Sequence, residues 1–195
     1  MKTAVFTFGR FNPPTIGHEK LINAVIAVNQ REGGTAFIYG SHTQDSRKNP
    51  LTHKQKFKYL KEMYSSKKKI FQSRSAAKNP LEAADELSGK YNKLIMIAGS
   101  DRVLEFKSLL NSYNGIKSKH GFYEFKEIEV ISAGERDPDA DIASGMSASK
   151  MRKAATQGDF EAFQMGASSE LTVKDKRNMM NDVRKGLKLD TIREA

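Results

Sequence analysis

Residues 3 to 8 (TAVFTF) form a run of β-branched and aromatic side chains that stops at Gly9, the pattern of a buried first strand. From His18 to about Gln30 the apolar positions Leu21, Ile22, Val25, Ile26 and Val28 recur with mostly helical spacing, and Gly33-Gly34 closes that pattern before a second strand near Thr35 to Tyr39. The spacing predicts a β-α-β unit. Thr52 reads as the cap of a helix over Lys54 to Tyr64, with Phe57, Leu60 and Met63 or Tyr64 on one face. A third strand is expected over Lys69 to Gln72. Pro80 opens a helix that Gly89 closes, and Lys93 to Ala98 (KLIMIA) is the most apolar segment, as suits a parallel strand covered on both faces. Residues 101 to 111 predict another helix, and Glu127 to Ile131 alternates polar with apolar as a fifth strand.

Strand and helix alternate through this stretch, so the expected fold is α/β: a Rossmann-like doubly wound parallel sheet of about five strands. From Ser147 onward the pattern is helical only, over Ser147 to Thr156, Asp159 to Gln164 and Thr172 to Leu187. The expected organisation is one domain over residues 1–156 followed by a helical C-terminal extension over residues 157–195.

The length of 195 residues suits one such domain with an appendage. Apolar residues make up 38% and never approach the ~20 consecutive positions of a membrane helix. The first apolar stretch is also too short for a secretory signal, and the chain has no cysteine; together these give the expectation of a cytoplasmic protein without disulfides or thiolate metal sites. The 33 Lys and Arg against 23 Asp and Glu leave +10, a potential that attracts nucleotides or nucleic acid. The Lys67-Lys68-Lys69 run reads as a solvated turn.

Candidate chemistry concentrates where strand one hands over to helix one, in Gly9-Arg10-Phe11-Asn12-Pro13-Pro14-Thr15-Ile16-Gly17-His18. In a doubly wound sheet this handover lies at the carboxyl edge of the strands, where ligands bind. Gly9 lets the backbone approach phosphate, and a helix start offers N–H groups and a positive dipole to an anion. Gly17 is expected to clear space beside His18, whose imidazole donates to a phosphoryl oxygen; Thr15 offers a hydroxyl to the same centre. An ordinary turn with a capping histidine is the plainer alternative.

Thr15-Ile16-Gly17-His18, with Gly9, Phe11 and Pro13 before it, resembles the (H/T)xGH signature of the adenylyltransferase and cytidylyltransferase superfamily. Met146-Ser147-Ala148-Ser149-Lys150-Met151-Arg152 is similar to its second signature, ISSTxIR, with Met for both Ile, Ala for the second Ser and Ser for Thr. The resemblance covers residues 1–156. It implies transfer of a nucleoside monophosphate from a nucleoside triphosphate to a phosphate-bearing acceptor, with His18, Thr15 and Arg152 catalytic. It further implies phosphate or nucleotide contacts at Phe8, Gly9, Arg10, Phe11, Gly17, Gly99, Asp101, Ser147 and Ser149. Lys48-Asn49-Pro50-Leu51-Thr52 resembles a segment of nicotinamide-mononucleotide adenylyltransferases, which makes Arg47 and Lys48, with His42, acceptor-binding candidates and favours ATP. A cytidylyltransferase or a pantetheine-phosphate adenylyltransferase is the alternative. Magnesium is the expected cofactor, bound mainly through the triphosphate.

Other features carry less. Asp137, Asp139 and Asp141 open like a calcium loop, but Ile142 and Ala148 stand where it needs Gly and Glu. His42, His53 and His120 lack metal-ligand spacing. The basic tail (Lys174, Lys176, Arg177, Arg184, Lys185, Lys188) leaves open a nucleic-acid-binding module, a homo-oligomer contact or packing on the core.

Overall fold

The structure, a computed structural model, describes residues 1–134 and 147–193. The acidic loop at Asp137, Asp139 and Asp141, and Met146 of the second signature, lie outside the described residues. The chain divides into two compact units whose segments interleave in sequence.

The first unit takes residues 1–9, 20–41 and 74–134. Its strands β1 (Thr3–Gly9), β2 (Thr35–Gly40), β3 (Lys93–Ala98) and β4 (Glu127–Ser132) form a parallel sheet in the order β2-β1-β3-β4. Helices α1 (Glu19–Glu32, in this unit from Lys20), α3 (Pro80–Leu87) and α4 (Val103–Ser112) belong to its connections. The order reverses at β1, so right-handed crossovers put α1 on one face and α3 and α4 on the other. Side-chain alternation agrees. Ala4, Phe6, Leu94 and Met96 join Leu81, Leu87, Phe106 and Leu110 in one core, while Val5, Ile38, Ile95 and Ile97 point the opposite way and are also fully buried.

The ladder between β1 and β3 stops at Phe6 and Met96, whereas β1 and β2 stay paired to Gly9 and Gly40. Beyond that point the Thr7 hydroxyl donates to the Ile97 carbonyl (2.7 Å). A side chain thus satisfies a carbonyl where the two strands part, at the topological switch point.

The second unit takes residues 10–19, 42–73 and 147–193. It contains α2 (His53–Met63), α5 (Ala148–Thr156), α6 (Phe160–Met165) and α7 (Val173–Gly186). Each starts at an oxygen-bearing cap, respectively Thr52, Ser147, Asp159 and Thr172. Their apolar faces meet in one cluster of Leu51, Tyr59, Met63, Met151, Phe163, Met179, Met180 and Val183. The Tyr59 hydroxyl donates to Asp182, and the Arg184 guanidinium donates to the Ala155 carbonyl (2.6 Å).

One expected strand is absent: the described residues form four strands, and Ser65–Ile70 is a 3-10 turn. Lys67, Lys68 and Lys69 are all exposed, so the segment has no alternating apolar face to offer a sheet. Phe71, which follows the turn, is buried with its ring 5.8 Å from that of Tyr64.

Candidate active site

The loop after β1 is built almost wholly of buried residues, Phe11 to Thr15. Thr15 caps the short 3-10 turn Ile16–His18 by accepting from the Gly17 N–H (3.0 Å), and the turn's third residue returns the favour. The Thr15 N–H donates to His18 Nδ1 (3.0 Å). Because Nδ1 accepts, the neutral imidazole carries its proton on Nε2. Local chain geometry therefore sets the tautomer and leaves the donor on the far ring nitrogen.

Gly17 serves the cap: a Cβ there would meet Thr15 Oγ1 at 3.2 Å. Thr15 itself is buried, with its hydroxyl engaged in that cap.

Phe11 sets the other side of the histidine. Its ring is fully buried and lies edge-on to the His18 ring, centroids 4.9 Å apart, while its backbone takes φ +45°, uncommon for a bulky residue. Three long-range contacts hold this loop. Asn12 Nδ2 donates to the Leu51 carbonyl (3.0 Å) and the Leu51 N–H donates back to Asn12 Oδ1 (2.8 Å). Lys56 Nζ donates to the Arg10 carbonyl (2.8 Å), and Arg152 Nη1 donates to the Asn12 carbonyl (2.9 Å).

That last bond joins the two signature segments, 140 residues apart, within one compact unit. Arg152 is half-buried on α5, and burial first, then the Arg10 charge, pulls its pKa down while Asp45 opposes them. Two guanidinium groups this close concentrate positive charge beside the loop. Ser147 caps α5 by accepting from the Lys150 N–H (3.2 Å), and Ser149 is exposed in the first turn.

The loop before α2 is organised by Asp45, whose carboxylate accepts from the Arg47, Lys48 and Asn49 N–H groups and from Asn49 Nδ2. These bonds, led by the Asn49 side chain, hold its pKa well below the usual carboxylate range. Arg47 and Lys48 are exposed on that loop. His42 stacks face to face on His53 (3.9 Å, 6°), and His53 leans on Phe57 (4.5 Å). Burial first, then the neighbouring His42 and Lys56, pushes His53 down to about 4, so it is neutral at pH 7.

Phe8, Gly9, Gly99 and Asp101 belong to the other unit, at the carboxyl ends of β1 and β3. Gly99 caps the 3-10 turn Ser100–Arg102, and a Cβ on it would press on Asp101 Oδ1 at 2.9 Å. Asp101 is not the cap of that turn.

A sequence model of the cytidylyltransferase-like family matches residues 6–154. The chain belongs to that family. No curated protein matches it in sequence. The match runs from inside β1 into α5, takes in both signature segments, and makes the chain a nucleotidyltransferase in the general sense. Helices α6 and α7 lie beyond the family match.

Among the described residues no helix is long and apolar enough to cross a membrane. Two cations of the basic tail are engaged within the fold: Arg184 on backbone carbonyls, Arg177 over the Phe160 ring (4.1 Å). Sequence reasoning passed over Asn12 and Lys56. Lys56 had a readable signal, since it stands four and seven residues before Leu60 and Met63, a cation on the apolar face of α2.

Proposed function

We propose that this cytidylyltransferase-like chain transfers the nucleoside monophosphate of a triphosphate, ATP first, to a phosphomonoester acceptor of the nicotinamide-mononucleotide kind. The observation that carries this reading is the Arg152 to Asn12 hydrogen bond, which puts the second signature's guanidinium on the loop that orients His18. The Thr15 hydroxyl beside His18 is buried and engaged as the acceptor of the Gly17 N–H, which favours direct in-line attack over a covalent enzyme intermediate. An acceptor phosphate oxygen forms a bond to the α-phosphorus as the bond to the α,β-bridging oxygen breaks, and pyrophosphate departs with that electron pair.

The Nε2–H of His18 donates to an α-phosphoryl oxygen as charge builds on it. Arg152, with Ser147 and Ser149 at the start of α5, holds the β and γ phosphates, and the helix N-terminus adds N–H groups. Arg47 and Lys48 take the acceptor phosphate, and Arg10 adds to the positive field. Magnesium bound through the triphosphate oxygens would supply neutralisation of the charge on the departing pyrophosphate.

The test is pyrophosphate release with ATP and with CTP, plus magnesium, against a panel of phosphomonoesters. ATP with nicotinamide mononucleotide is expected to give the highest kcat/KM. Preference for CTP, or for phosphopantetheine, moves the chain to another branch. No release with any pair, beside a salt-steep affinity for DNA, replaces transfer by nucleic-acid binding.

A further inference from the structure

Lys56 is the one fully buried lysine among the described residues, and its ammonium lies on the first signature's backbone. Burial pushes it down to about 8, so it remains mostly charged at neutral pH. A buried cation is retained only where hydrogen bonds hold it, and here the Arg10 carbonyl accepts at 2.8 Å. That carbonyl precedes Phe11, whose φ of +45° is a strained conformation that the surroundings must impose. Phe11 then lays its ring edge against His18 at 4.9 Å.

We propose that Lys56 is a positioning residue for nucleotidyl transfer: by gripping the Arg10 carbonyl it locks Phe11 in its left-handed conformation and so fixes the His18 ring. The inference rests on His18 being the transition-state donor. Arg152 holds the Asn12 carbonyl, two residues on, and the Asn12 side chain holds Leu51, so the lysine grips a peptide that neither of these contacts reaches. It touches no substrate. Its loss should therefore act on the chemical step through the imidazole, with triphosphate binding through Arg152 retained.

Lys56→Met, Lys56→Gln and Lys56→Arg are made in the full chain, with folding checked by circular dichroism. In the folded Met and Gln variants kcat is expected to fall roughly ten- to hundred-fold, the scale of a small misplacement, while the ATP KM stays within about twofold. The His18 ring-proton NMR signals move as the Phe11 ring current leaves them, and Lys56→Arg recovers part of both. Wild-type kcat or unmoved His18 signals in a folded Met or Gln variant overturn the proposal, as does failure of all three to fold, which would leave Lys56 a core residue only. The NMR signal needs no turnover. If His18→Ala keeps full activity while the signals still move, the transfer chemistry assigned to His18 fails and the coupling stands.

Discussion

At the scale of single residues, the histidine's chemistry follows from one backbone bond. With Nδ1 accepting from the Thr15 N–H, only Nε2 is left to donate, and His18→Ala removes that donor together with the acceptor of the Thr15 N–H and the ring beside Phe11. We expect kcat to fall by about two to three orders of magnitude with only a modest drop in melting temperature, read by pyrophosphate release and calorimetry. Arg152→Ala has a different signature. The ATP KM should rise, and because the Asn12 carbonyl loses its donor, stability should also drop by about 1–3 kcal/mol in urea titration. An unchanged KM removes Arg152 from the triphosphate site.

His53 makes a third residue-scale prediction. Its folded pKa, about 4, lies below the ordinary 6.5, so the unfolded chain binds a proton that the folded one resists. This contribution to stability is complete above pH 6.5 and is lost as the pH falls towards 4. Denaturant midpoints of the wild type should therefore drop between pH 7 and 5 more steeply than those of His53→Phe, which keeps a ring against Phe57. Parallel slopes would exclude the histidine as the cause.

At the scale of elements, caps were legible because they are local: a hydroxyl or carboxylate reaches the N–H two or three residues on, whatever lies elsewhere. Thr52, with Gln55 returning to its N–H, starts α2 one residue before the expected Lys54. The segment 69–72 misled because its short apolar pair, Ile70 and Phe71, has strand-like composition, whereas the chain up to Ile70 winds into a 3-10 turn. Gly186 shows the opposite limit. A Cβ there would collide with the Pro50 carbonyl, a contact between the last turn of α7 and the loop before α2 that no local pattern signals. Gly186→Ala is expected to cost about 1–3 kcal/mol by overpacking, measured as a shift in urea midpoint, although alanine is the better helix former.

At the scale of the whole molecule, α5, α6 and α7 share one apolar cluster with α2, so a chain cut after Thr156 would leave Leu51, Tyr59, Met63 and Met151 without Phe163, Met179, Met180 and Val183. Such a truncation should be degraded rapidly in limited proteolysis across residues 42–73, and a stable fragment would refute the shared core. The alternating strands and helices, the glycine and proline turn and the two signature segments were readable from the chain, because periodicity, backbone freedom and helix starts are properties of neighbours in sequence. Tertiary structure alone decided which carbonyls Lys56 and Arg152 hold, how Asn12 binds Leu51, and which ring meets His18. The hydrogen bonds among these contacts join residues 39 to 140 positions apart, and no local rule selects a partner at such range; burial does, by leaving each polar group only the partners enclosed with it.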